Sequence, residues 1–310
     1  SLHRNGDQLW ASMQGDGWWI LDIRDPARIT PLGSFPAGAR EAAQSATTDG
    51  SYAYLAAGPG GVHVLDVSDP TRPRRIGGFR TRGFASRMAM SGNLLCVAGS
   101  DPALTLLDVS DPAKPVQRGE LVDRGASDVV VRGSVAYLTS SDGIRVVDLS
   151  DPSLPRVLTN ATPGAGGVGT LSLQGTWLYG SGSRLLALDV SDPRAPRNVP
   201  TGLPLGQLTG VAALGSRVAL AGSSPELTVV DVSQPDAFPV VGRSGSPFGL
   251  ASAIALAPGH AYLAVNGPIL AIAMNPATEL PRAQVVPLPP GGAVGLGLTA
   301  NGNSLLFAAN

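Results

Sequence analysis

Cysteine occurs once in 310 residues, as Cys96, so no disulfide can form within the chain; its setting, NLLCVAG, reads as a buried strand in which the thiol is a small hydrophobe. Histidine occurs three times, at His3, His63 and His260, too few and too scattered to build a metal site or a Ser-His-Asp arrangement. Charged residues make up 15% of the chain, and 22 basic side chains nearly balance 23 acidic ones. No broad field is available to steer nucleic acid or an anionic membrane surface. Long apolar runs are missing too. The nearest, AYLAVNGPILAIAM, is broken by Gly267 and Pro268, and no membrane-spanning helix is expected. The chain opens on Ser1 with no apolar leader, which fits a mature form or an excised domain.

What is abundant is glycine, at 40, and proline, at 27, the composition of tight turns and short strands rather than helices. A five-residue spelling, D-[VL]-S-D-P, occurs four times along the chain, and near-copies occur three times more. Taking its proline as the marker gives Pro26, Pro70, Pro112, Pro152, Pro193, Pro235 and Pro276, at intervals of 40 to 44 residues. A repeat of that length made of strands predicts one four-stranded propeller blade per unit. In the unit from Ala85, ASRMAMSGN, LLCVAGS, LTLLDVS and VQRGELV read as four successive strands, each bounded by turn residues.

Within the turn, Pro70 presets φ for the second position of a type I turn, and Ser68 and Asp69 can fold side-chain oxygens onto backbone N–H groups two residues ahead. Pro73 tolerates its missing N–H because the fourth strand is the edge of the blade. The carboxylates Asp66, Asp69, Asp108, Asp111, Asp148, Asp151, Asp189 and Asp192, with Asp22 and Asp231 at the same place in their units, read as turn-locking acceptors; a repeated calcium ligand is the other reading. The sequence therefore predicts an all-β, seven-bladed propeller of four-stranded antiparallel blades, one domain over residues 1–310. The N-terminal segment supplies a second, third and fourth strand, and GGAVGLGLTANGN a first strand, so the two ends are expected to pair and close the ring. Eight blades, completed beyond Asn310, is the alternative.

The unit GSYAYLAAGPGGVHVLDVSDPTRPRRIGGF, with its V-x-V-[LV]-D-V-S-D-P-x-x-P core, resembles the LVIVD repeat of bacterial and archaeal cell-surface and secreted proteins. The seventh unit, ILAIAMNPATELP, departs by losing the Asp. The resemblance implies a propeller, an extracytoplasmic location and an interaction or adhesion module within a larger surface protein; it implies no activity.

Propeller ligands commonly bind where the innermost strands converge. Aligned on the glycine that follows each, one facing slot reads Ser45, Arg87, Asp128, Thr170, Gly210, Ala253 and Gly295. A cation-dependent hydrolase needs several carboxylates or histidines there, and only Asp128 is offered, so no catalytic or metal residue and no cofactor are assigned. Gly164, Gly166 and Gly169 imitate a phosphate loop but precede no helix pattern. Candidate partner-binding residues are Gln44, Phe84, Arg87, Asp128 and Thr170 at the channel mouth. To these are added Arg74 and Arg82 from the basic stretch Arg72 to Arg87, and Trp19, which stands where other units place His63, Thr105, Arg145 or Thr228 and reads either as an exposed anchor for a partner or as packing against the closing strand. A protein or surface glycan is the expected partner, read as a non-catalytic module; the alternative is a carbohydrate-binding or carbohydrate-processing propeller. The NAT sequon at Asn160 matters only in a host that glycosylates it.

Overall fold

The computed structural model describes residues 1–286 except 14–15, 26–27, 40, 162–166, 204–205, 223–226, 235–236, 245–250, 266–268 and 274–282. Twenty-eight strands form seven antiparallel sheets of four, with no helix among the described residues. Blade one holds β1 (Leu2–Asn5), β2 (Gln8–Met13), β3 (Gly17–Asp22) and β4 (Thr30–Phe35), and blade two β5 (Ser45–Thr48), β6 (Tyr52–Ala56), β7 (Val62–Asp66) and β8 (Arg74–Phe79). Blade three runs β9 (Ala85–Ser91), β10 (Leu94–Gly99), β11 (Leu104–Asp108) and β12 (Val116–Leu121), and blade four β13 (Val129–Arg132), β14 (Val135–Ser140), β15 (Gly143–Asp148) and β16 (Arg156–Ala161). Blade five is β17 (Leu171–Gln174), β18 (Trp177–Gly180), β19 (Leu186–Asp189) and β20 (Arg197–Val199), and blade six β21 (Leu208–Leu214), β22 (Arg217–Gly222), β23 (Leu227–Asp231) and β24 (Val240–Ser244). Blade seven is β25 (Ala251–Ala257), β26 (His260–Val265), β27 (Ile269–Ala273) and β28 (Ala283–Val286).

The second strands are buried on both faces, which is why they read as unbroken apolar runs rather than alternating ones. In β10, Leu95 and Val97 pack against blade two while Cys96 and Ala98 pack against blade four. Burial pushes the Cys96 thiol up to about 12, so it behaves as an inert hydrophobe. The same division recurs round the ring, and each of seven apolar clusters fills the space between two adjacent blades.

One of these clusters, joining Leu2, Leu9, Ala11 and Leu21 to Ala255, Ala257, Tyr262 and Ile269, closes the ring between blades one and seven. The seven blades are as the repeat predicts, and the seam lies between the N- and C-terminal blades. The strand assignment at the N-terminus is corrected: Leu2–Asn5 is itself the first strand of blade one, paired from Leu2↔Ala11 to Asn5↔Gln8. The seam is blade packed on blade, not a blade shared by the two ends. GGAVGLGLTANGN and the final SLLFAAN lie outside the described residues.

The repeated turn is built as its residues suggest. Asp66 Oδ1 accepts Ser68 N at 3.1 Å and Ser68 Oγ at 2.7 Å, and Asp69 Oδ1 accepts Thr71 N at 3.0 Å and Thr71 Oγ1 at 2.7 Å. A backbone bond from Arg72 N to Asp69 O closes the turn around Pro70 at 3.0 Å. The arrangement returns at Asp108 and Asp111, Asp148 and Asp151, and Asp189 and Asp192. The turn prolines Pro26, Pro235 and Pro276 lie outside the described residues.

The turn also sets the distance between blades. A β-bulge interrupts the pairing of third and fourth strands in blades one to four. In blades one to three a glycine follows it, and the turn of the next blade presses there: a Cβ on Gly33 would stand 2.2 Å from Pro70 O, on Gly77 2.6 Å from Ala113 O, and on Gly119 2.2 Å from Pro152 O.

Candidate functional site

Antiparallel order puts the first-to-second hairpins and the D-P turns on one end of the disc, and the second-to-third and inter-blade loops on the other. The channel opens on this loop end. Its lining comes from the first strands of all seven blades, and its volume is about 610 Å³.

Pairing confirms the register of the facing slot: Ser45, Arg87, Asp128, Thr170, Gly210 and Ala253 occupy equivalent places, and Ser1 holds the place expected for Gly295. Arg87 and Asp128 both line the channel, with Asp128 Oδ1 3.9 Å from Arg87 Nε. Asp128 is buried. Its Oδ1 accepts Val129 N and its Oδ2 accepts Leu171 N in the next blade, each at 2.8 Å. Burial pushes its carboxyl pKa up, against the pull of Arg87 and of the two amides.

Thr170 repeats the device with a neutral group, accepting Val211 N at 3.1 Å while sharing a 2.8 Å hydrogen bond with Ser181 Oγ. Gln44 and Phe84 stand just outside the lining. The Gln44 carbonyl accepts Ser12 Oγ at 2.9 Å, and the Phe84 ring lies over Gly58, where an added Cβ would come within 2.9 Å of it.

The basic stretch is divided by the strand that carries it. Because β8 runs from the turn end to the loop end, Arg74 and Arg82 come to opposite ends of the disc. Arg74 pairs with Asp66 at 3.2 Å, and Arg82 reaches Asp101 at 3.3 Å and Glu120 at 3.2 Å. Trp19 packs into the seam cluster between blades one and seven. Its Nε1 is buried without a hydrogen-bond partner, so the packing role accounts for it. The slot it shares faces the preceding blade throughout. There His63 Nε2 lies 2.8 Å from Glu41 Oε1, and Arg145 Nε lies 3.2 Å from Asp123 Oδ2, two buried side chains tying inter-blade loops to their blades. A single polar residue inside the apolar runs GVHVLD and GIRVVD is the sequence signal for these ties.

The channel also holds residues the sequence reading passed over. Arg4 lines it, as does His3, which burial holds down at about 4 and therefore neutral at pH 7. The sequence signal for β1 is Gly6, which begins a two-residue hairpin loop in the left-handed region at φ 56°, like Gly92, Gly133, Gly175 and Gly215 in other blades. Among the described residues no three His, Cys, Asp or Glu side chains gather as a metal site, and no helix is long and apolar enough to cross a membrane.

These features define a seven-bladed β-propeller, and known structures of low identity share the fold. The chain matches the computationally designed Ika8 protein at 10% identity and TM-score 0.66, covering 86% of this chain and 80% of that one. It matches a chain of the mitotic checkpoint complex at 15% identity and TM-score 0.65, covering 83% and 81%. It matches the propeller domain of Myceliophteria thermophila Cps50 (Swd1) at 17% and 0.67, covering 86% and 93%. No curated protein matches. The LVIVD repeat model matches residues 42–81, 82–121 and 123–161, stretches that fall on blades two, three and four.

Proposed function

We propose that this chain is a non-catalytic interaction module of a secreted or cell-surface protein, a rigid disc whose loop end presents the partner-binding surface. The observation that carries the reading is the state of Asp128: the carboxylate that lines the channel has both oxygens committed to backbone amides of two blades. A general acid or base must be free to exchange its proton with a substrate. In blades two and four the polar side chains of the third strands, His63 and Arg145, lie against the inter-blade loops through Glu41 and Asp123. The LVIVD repeats support an extracytoplasmic setting by family likeness.

The test immobilises the purified chain against a surface extract of the organism that makes it, beside a variant with the exposed loop residues Arg80 and Arg82 changed to Ser. A partner retained by the first and reduced with the second supports the reading. Turnover of a glycan or ester substrate by the purified chain, abolished in Asp128→Asn, would overturn it.

A further inference from the structure

The channel has an unbalanced charge. Two arginines belong to its lining, Arg87 at the mouth and Arg4. In the shared register Arg4 matches Met90, three residues further along the strand than Arg87, so the two lie about 10 Å apart in depth at ~3.3 Å per residue. The nearest acidic oxygen to Arg87 is Asp128 Oδ1 at 3.9 Å, beyond hydrogen-bond reach and already accepting the Val129 amide. Arg4 Nε is buried with no hydrogen-bond partner. On the blade beside Arg87, Ser45 is 5% exposed and its Oγ is buried without a partner. Buried polar groups are normally satisfied, and those left over point to a ligand or an ion.

We propose that the channel mouth is an anion site for a small organic carboxylate, received by the guanidinium of Arg87 and the hydroxyl of Ser45, with Arg4 adding positive charge deeper in the channel. A carboxylate presents two coplanar oxygens that match the guanidinium fork. A phosphate brings more negative charge close to Asp128, which repels it. Below the mouth, Met88, Met90 and Val131 line the wall, an apolar surface for the body of such a molecule, and about 610 Å³ accommodates one of sugar-acid size. The site lies inside the channel mouth and not on the Arg80 and Arg82 loop that tests the interaction reading, so its failure leaves that reading standing.

The test uses the full chain and glucuronate as the probe, with glucose and sulfate as controls at constant ionic strength, read by calorimetry. Saturable binding of glucuronate and none of glucose is expected. Arg87→Met should weaken binding about ten- to a hundredfold, the value of a hydrogen bond to a charged group, while Arg74→Met on the opposite end leaves it unchanged. In the wild-type chain the Arg87 Nε nitrogen resonance should move on titration, a readout that does not depend on the variant folding. Equal affinity for sulfate or for glucose, unchanged binding in a folded Arg87→Met, or a stationary Arg87 resonance overturns the assignment.

Discussion

Asp128 Oδ2 accepts the backbone N–H of Leu171 at 2.8 Å, so a carboxylate at the head of blade four holds the first strand of blade five. In the equivalent slot of blade five, Thr170 does the same for Val211 in blade six. Asp128, which lines the channel mouth, therefore also joins the blades behind it.

Replacing Asp128 by Ala leaves the Val129 and Leu171 amides without their acceptor, and the expected loss is about 2–6 kcal/mol, at ~1–3 per buried unsatisfied group. Asp128→Asn keeps one acceptor and should lose about half as much. Urea unfolding checks this, with a lower midpoint and an unchanged slope. A stable Asp128→Ala chain contradicts the joining role.

Burial is the largest single influence on the Glu41 carboxyl and raises its pKa, but the His63 imidazole beside it, the Gly38 amide and the charge of Arg75 together outweigh burial and hold it below the usual carboxylate range. A carboxyl with a depressed folded value stabilises the chain above its unfolded pKa of about 4.3, and that contribution is lost as pH falls through the folded value. The stability difference between wild type and Glu41→Gln should thus be steady near pH 6, shrink as pH falls through the unfolded value of about 4.3, and vanish below the lower folded value. Denaturation midpoints measured across that range decide it; a difference that persists at low pH contradicts the linkage.

Two glycines separate crowding from backbone conformation. Gly119→Ala drives a Cβ to 2.2 Å from Pro152 O in the neighbouring blade and should cost about 1–3 kcal/mol, the range for overpacking. Gly133→Ala meets nothing within 4 Å but sits at φ 57°, and its expected cost is about 1 kcal/mol. Thermal unfolding of both variants ranks them, and Gly133→Ala as the worse of the two contradicts the blade-contact account.

Trp19 fills the seam between the first and last blades, so Trp19→Ala should destabilise by about 2–4 kcal/mol, somewhat below the range for a fully buried tryptophan. Because Nε1 has no partner, Trp19→Phe should cost less than about 1.5 kcal/mol. Stability measurements separate this from an exposed binding role, in which both variants unfold like wild type.

The repeat, the strand order inside each unit, the D-P turn and its aspartate locks were all legible in the residues, because each depends on chemistry within a few positions: a fixed φ, an oxygen two residues from an amide, a run buried on two sides. Even β1 had a local signature, Asn5-Gly6, although a four-strand template searched for long apolar runs passes over LHRN. What the chain alone left open concerns partners far apart in sequence. Arg74 and Arg82 look like one cluster eight residues wide, yet β8 carries them to opposite ends of the disc. Arg4, Ser45, Arg87 and Asp128 share one channel only because the ring brings first strands together, and the burial that leaves Ser45 Oγ unpaired and commits the Asp128 oxygens depends on neighbouring blades. Local hydrogen bonds and apolar patterning determined the blade; closure of seven blades into a ring decided which charges meet, and with it the character of the channel.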